Sequence, residues 1–347
     1  VPMLASVGCP YDCDFCVDWN SEYISMPSDR LEADLRYLPR NHPGILIAYA
    51  DPNFGVKFDQ TMDAIEKIPK ERRNPYIMES SLSILTESRL NRLRETNCIY
   101  VAPGVESWSN YSNKAGSGTK TGREKMEQIV GHFNRLRRYV TGLQANFVFG
   151  TDVDRGREPV ELTKEFVRRL PFVWPALNIP TPLGGTPLYD KYFADGRILK
   201  AMPFYFYFSQ TTLVTTLKNY HPVEYYDHLI DISREIASAR IFTRRMLGGE
   251  PPSIRFLHSL RALIVRKEIA EFRRIREMIA GGGQFRAFHE GRSETLPEYY
   301  HHQFEKKLGP YADLISREER TPRLEEVRLK VVDGAERKKE EVFLKIT

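Results

Sequence analysis

Short apolar runs alternate with longer stretches whose apolar residues recur every three or four positions, and this alternation fills the first two hundred residues. The runs are PMLASVG (2–8), GILIAYA (44–50), PYIMESS (75–81), CIYVAPG (98–104), LQANFVFG (143–150) and PALNIPTP (175–182). Nearly continuous apolar runs of this length read as strands buried on both faces of a parallel sheet. Between them, amphipathic stretches at 58–68, 87–94, 120–139 and 159–170 read as helices. Six strands alternating with helices predict βα units, here a partial (β/α)6 TIM-like barrel over residues 1–200. From residue 201 the pattern changes. The aromatic segment AMPFYFYFSQTTLV leads into helical stretches at 223–246 and 252–279, which stop at Gly281-Gly282-Gly283. Residues 201–347 are therefore predicted to form a mostly α-helical C-terminal extension, with two alternating runs around Asp333-Gly334 that predict a closing hairpin.

Barrels of this kind carry their chemistry on the loops after the C-terminal ends of the strands. Each run here is followed by such residues: Gly8 onward, Asp51-Pro52-Asn53, Ser80-Ser81, Gly104-Val105-Glu106-Ser107, Gly150-Thr151-Asp152 and Thr181-Pro182. Tyr11, Trp19, Tyr49, Phe54 and Trp108 fall on the same loops or strand ends and are candidates to line an apolar substrate pocket.

Composition narrows the class. The 347 residues are 41% hydrophobic and 28% charged, and no apolar run is long enough to span a membrane. The net charge of +5 is too mild to imply nucleic acid. VPMLASVG lacks the length and basic flank of a secretory signal, which points to the cytoplasm. A chain opening on a strand without an initiator methionine also leads us to expect an upstream domain.

Three of the four cysteines, Cys9, Cys13 and Cys16, fall within eight positions of GCPYDCDFCVDW. Three thiolates on one loop cannot pair completely among themselves and without secretion a metal or redox centre is favoured over disulfides. Structural zinc would want a fourth ligand at recognisable spacing, and none follows. A cubane iron–sulfur cluster held by three thiolates leaves one iron open to another ligand. Cys98 begins an apolar run and reads as a core residue. The histidines, His301-His302 included, receive no role.

The C-x3-C-x2-C spacing, with Phe15 before the last cysteine and the loop following the first strand of a βα barrel, resembles the radical SAM superfamily. DPNFG (51–55) is similar to the D-x-N-F segment of members that carry an upstream cobalamin-binding domain, and PGVES (103–107) to their G-[IV]-E-S segment. NIPTPLGGTPLYD (178–190) resembles their P-x-P-G-T-P-L-Y stretch, with Gly184 as a departure. The resemblance implies a 4Fe–4S cluster on Cys9, Cys13 and Cys16, S-adenosylmethionine as cosubstrate, and a 5′-deoxyadenosyl radical. Phe15 would lie near the adenine. Asp51, Asn53 and Glu106 would meet the methionine end or the ribose, and Gln144 and Asn146 the ribose or adenine. It further implies an electron donor such as flavodoxin or ferredoxin, a small-molecule substrate, and methyl transfer to an unactivated carbon with cobalamin supplied by the upstream domain. Two other readings stand beside it. One is a cobalamin-free radical SAM enzyme that abstracts hydrogen and rearranges its substrate; the other is a non-catalytic metal protein contacting RNA or a partner through its basic C-terminal helices.

Overall fold

Why the apolar runs take the order they do is clear from the sheet they build. The structure, a computed structural model, describes residues 1–314. In chain order these form β1 (Pro2–Met3), β2 (Ser6–Val7), β3 (Ile24–Ser25), α1 (Ser28–Asn41), β4 (Ile47–Tyr49), α2 (Phe58–Glu66), β5 (Tyr76–Ser81), α3 (Glu87–Glu95), β6 (Cys98–Glu106), α4 (Gly122–Leu136), β7 (Gly142–Val148), α5 (Glu158–Arg169) and β8 (Val173–Asn178). There follow α6 (Pro187–Ala194), α7 (Pro222–Ile236), α8 (Ala239–Met246), α9 (Pro252–Ala280), α10 (Gly283–His289) and α11 (Glu298–Leu308). Six strands pair in parallel in the order β1-β4-β5-β6-β7-β8, so the sheet is wound by successive βα units.

Successive side chains on a strand point to opposite faces, and both faces here are covered. Tyr49, Met78, Val101, Leu143 and Phe147 join one core with Leu31 and Leu35 of α1, Met62 of α2, Leu90 of α3, Phe133 of α4 and Phe166 of α5. Each large apolar side chain in that layer contributes about 1.5–3 kcal/mol by leaving water. The alternate residues face the barrel lumen. At its floor Tyr100 and Ala102 pack on Ile254 near the start of α9, with Ile77 and Leu257 beside them. The guanidinium of Arg261 lies over the rings of Tyr100 and Trp174. The long helix α9 thus stops the lumen near the N-terminal ends of the strands and leaves the opposite mouth, where the loops gather, accessible.

Two elements differ from expectation. The strand expected over 2–8 is divided: only Pro2–Met3 joins the large sheet, and Ser6–Val7 turns away to pair antiparallel with β3. The Asp51 carboxylate accepts from the Ala5 amide and the Ser6 hydroxyl, replacing ladder bonds with side-chain bonds. The helix expected over 223–246 is broken after Ile236, because Ser238 turns its hydroxyl to accept from the Ile241 amide and caps α8. The aromatic segment after residue 201 forms a 3₁₀ turn over Phe204–Phe208. The hairpin expected around Asp333-Gly334 lies outside the described residues. No described helix is long and apolar enough to cross a membrane.

Candidate active site

The cysteine loop leaves the sheet through Gly8, whose φ of 71° is one that L side chains rarely adopt. A side chain there would run into the Glu22 carbonyl, because β2 and β3 bring the two ends of the loop together. Inside the loop the Cys16 amide donates to the Cys13 carbonyl at 3.0 Å and the Trp19 amide to the Cys16 carbonyl at 3.1 Å. Three ties fix it across the mouth. Trp19 Nε1 donates to the Gly185 carbonyl at 2.8 Å, the Leu188 amide donates to the Asp14 carbonyl at 2.9 Å, and the Tyr11 hydroxyl shares a 2.8 Å bond with Ser83 Oγ.

Cys9 is buried and Cys13 and Cys16 are half-buried, and all three are free thiols. Burial pushes the Cys13 thiol up to about 11 and raises Cys16 as well. Among the described residues no three His, Cys, Asp or Glu side chains converge closely enough to hold a metal ion. A zinc site needs its ligands around one ion, whereas a cubane cluster is gripped at separate corners by thiolates that stand farther apart. The donor chemistry, three thiols on one loop with no carboxylate or imidazole completing a single-ion set, fits the cluster rather than zinc.

Lys114 occupies the loop after β6 and is brought in by its carbonyl, which accepts from the Ser83 amide at 3.1 Å. Burial alone would lower its ammonium, but Cys13, Glu106, Cys16 and Cys9 together raise it. A cation therefore faces three thiols and a carboxylate. Glu106 ends β6 with φ 65°, at an irregularity in the pairing with β7. A non-glycine residue held in that region is strained, and such strain gathers at functional sites. A side chain at Gly104 would strike the Glu106 carboxylate. Among the described residues no hydrogen bond holds that carboxylate, although Glu106 is only 7% exposed. Burial raises it to about 7, against the pull of Lys114 and Lys125. Behind it the buried Lys125 donates to the Ser109 carbonyl at 3.0 Å. Glu79 alternates with the core residue Met78 and so faces the lumen. Water reaches it, yet the surrounding protein raises its carboxyl despite Lys114.

The other sequence candidates divide between open and already occupied groups. Asp51 accepts from the Ala5 amide at 3.1 and 3.2 Å and from Ser6 Oγ at 2.6 Å, so both of its oxygens are committed to the passage from β1 into β2. Asn53 accepts from Ser81 Oγ at 3.1 Å, but its Nδ2 is buried with no partner among the described residues. Gln144 and Asn146 form a relay in the lumen. The Tyr100 hydroxyl donates to Gln144 Oε1, Gln144 Nε2 to Asn146 Oδ1 at 2.7 Å, and Asn146 Nδ2 to the Ala102 carbonyl at 3.3 Å. Phe15 stacks on Tyr111, centroids 5.2 Å apart and planes at 15°. These two rings border a cleft of about 290 Å³ that also takes in Val148, Asn178, Thr181 and Phe208.

The aromatic candidates need correction. Tyr49, Phe54 and Trp108 belong to the core outside the lumen, with Tyr49 and Phe54 4.3 Å apart and Trp108 5.2 Å from Phe147. Only Tyr11 and Trp19 reach the mouth, and they act there as ties. Lys114, Tyr111 and Glu79 went unread. Glu79 could have been found from the period of its strand, but nothing local distinguishes Lys114 within NYSNKAGSG.

Residues 3–156 match the family model described as Radical SAM superfamily. The chain is 24% identical over 212 residues to bacteriochlorophyllide d C-8(2)-methyltransferase of Chlorobaculum tepidum, covering 57% of this chain and 46% of that protein. It is 23% identical over 201 residues to bacteriochlorophyllide d C-12(1)-methyltransferase of the same organism, covering 55% and 42%. It thus spans less than half the length of these curated relatives. Among solved structures, the cobalamin-dependent S-adenosylmethionine radical enzyme OxsB with aqua-cobalamin bound superposes with a TM-score of 0.50 at 12% identity, over 99% of this chain and 54% of that one. Residues 3–156, a little under half of the chain, therefore match a radical SAM domain, and the match falls within the βα part of the fold.

Proposed function

We propose that this chain holds a 4Fe–4S cluster through Cys9, Cys13 and Cys16 and cleaves S-adenosylmethionine at the barrel mouth. The observation that carries the reading is the loop of three cysteines pinned across the barrel mouth by the Trp19–Gly185, Leu188–Asp14 and Tyr11–Ser83 bonds, and the charges of those thiols and Glu106 raise the Lys114 ammonium of the neighbouring loop. When bound, such a cluster supplies the electron that converts S-adenosylmethionine to methionine and a 5′-deoxyadenosyl radical.

The chain's own residues bind and orient. Glu106, which has no hydrogen bond among the described residues, offers its carboxylate to the cosubstrate's ammonium, and Asn53 offers an acceptor the Nδ2 that those residues leave unpaired. Asp51 acts one step back by holding Ala5 and Ser6, where the chain passes from β1 into β2. The Phe15–Tyr111 pair and the 290 Å³ cleft suit the adenosine, whose aromatic base stacks on apolar rings. Gln144 and Asn146 already satisfy one another, so they shape the lumen wall and offer only their remaining lone pairs. We take residues 1–200 as the catalytic unit and 201–347 as a separate C-terminal region, working in the cytoplasm with flavodoxin or ferredoxin as electron donor and a small molecule as substrate.

Within this reading we favour methyl transfer to an unactivated carbon, with cobalamin held by an upstream domain. The D-x-N-F and G-V-E-S segments and the names of the curated relatives support it. Anaerobic reconstitution with iron and sulfide, followed by dithionite and S-adenosylmethionine, is the test. Formation of 5′-deoxyadenosine is expected; its absence, with zinc in the purified protein, would overturn the proposal. Hydrogen abstraction without added cobalamin would favour the cobalamin-free alternative.

A further inference from the structure

Helix α9 has two faces of unequal fate. Ile254, His258, Ala262, Val265, Ile269 and Phe272 are buried against the barrel and α7. On the opposite side Phe256, Leu260, Leu263 and Ile264 recur at i, i+4, i+7 and i+8, which places them on one stripe. The stripe continues onto the end of α8. Arg255 Nη1 donates to the Met246 carbonyl at 3.0 Å and Ser259 Oγ lies 3.2 Å from Met246 Sδ, so Met246 and Leu247 border it directly. These six large apolar side chains are between 36% and 81% exposed. Scattered apolar residues on a surface are ordinary, but a contiguous patch of this kind marks an interaction site.

What surrounds the patch decides its partner. Residues 239–271 contain Arg240, Arg244, Arg245, Arg255, Arg261, Arg266 and Lys267 against three acids, Glu250, Glu268 and Glu271. Glu250 is engaged by Arg137 at 2.5 Å, Glu271 accepts from the Tyr299 hydroxyl, and Glu268 is half-buried. Arg245 and Arg261 turn inward, donating to the Ile236 carbonyl and lying over Tyr100 respectively. Arg240, Arg266 and Lys267 are exposed and form no ion pair among the described residues. An apolar stripe rimmed by unpaired cations complements a surface that is anionic outside and hydrocarbon beneath. A second copy of the chain would set the same cations against themselves across a two-fold axis. A nucleic acid would supply phosphates but no apolar surface for Leu260, Leu263 and Ile264.

We infer that α8 and the first half of α9 form a docking surface for an anionic lipid membrane, on which α9 lies parallel to the bilayer plane with its apolar stripe among the acyl chains and its cations at the headgroups. The inference does not depend on the chemistry at the cysteine loop.

Co-sedimentation of the full chain with vesicles of phosphatidylcholine containing phosphatidylglycerol is the test, beside vesicles of phosphatidylcholine alone. Binding to the anionic vesicles is expected, falling as salt rises. Phe256→Glu/Leu260→Glu, at exposed positions and checked for folding by circular dichroism, should abolish it. Arg266→Gln/Lys267→Gln should weaken it by about fivefold for each cation neutralised. No binding, equal binding to neutral vesicles, or indifference to both double variants would overturn the inference. So would a dimer, seen by sedimentation velocity without vesicles, that Phe256→Glu/Leu260→Glu dissolves while vesicle binding is absent.

Discussion

Replacing Glu106 with glutamine removes a charge while keeping shape, and the structure sets the size of the effect. The Glu106 carboxyl is raised from 4.5 to about 7 by burial. Above 4.5 the unfolded chain has lost this proton while the folded chain keeps it until about pH 7. Over that window the folded state binds more protons, so stability falls as pH rises. About 2.5 pH units at about 1.4 kcal/mol each give a cost of about 3 kcal/mol, present in full above pH 7 and absent below about 4.5. Glu106→Gln mimics the protonated acid and escapes this cost. The cluster-free variant should therefore unfold at higher urea than wild type at pH 8, with the two converging near pH 5. Urea titrations of both proteins at half-unit pH intervals measure it, and their difference cancels the other titrating groups. A difference that stays flat from pH 5 to 8, or a variant less stable at pH 8, would show that Glu106 is held by partners in the protein and is not waiting for a ligand. The same substitution should weaken S-adenosylmethionine binding about tenfold or more, as expected for losing a charge-assisted bond.

Cys13→Ala should abolish the brown absorbance of the reconstituted protein; a retained spectrum would show that the loop does not hold the cluster. Asp51→Asn replaces an acceptor of three bonds and should cost about 1.5–3 kcal/mol in urea unfolding, with faster exchange of the Ala5 amide. Unchanged stability with lost cosubstrate binding would instead place Asp51 on the ligand. Tyr111→Ala removes one partner of the Phe15 stack and should weaken S-adenosylmethionine binding by roughly threefold to tenfold, the worth of an aromatic pair, in equilibrium dialysis.

The barrel was legible because parallel strands covered on both faces must be apolar throughout, and the six runs carry that mark whatever their tertiary partners. The motif loop was legible for a similar reason: three cysteines within eight positions need no partner from elsewhere to be noticed. What escaped depends on contacts distant in sequence. The division of the first strand rests on Asp51, some forty-five residues away, supplying bonds that a strand would otherwise find in its neighbour. Lys114 enters the site only because its carbonyl meets Ser83. Tyr49 was recognisable as apolar, but which face of a two-faced sheet it takes is a matter of register, and a shift of one residue exchanges the faces; Phe54 and Trp108 lie on the loops after β4 and β6 and turn into the core against Tyr49 and Phe147. Ser238 offered a local cap signal within a stretch whose periodicity alone read as one helix.

The bonds from Trp19 to Gly185 and from Leu188 to Asp14 join positions more than 160 residues apart. Contacts of such separation form late, because the intervening chain must first be ordered. The loop carrying the cysteines is written well before the loop after β8 but is among the last to acquire its final shape. Chain growth past β8 therefore sets the earliest moment at which those thiols can be presented together, and the last βα loop serves as a latch that times when the first one can be loaded.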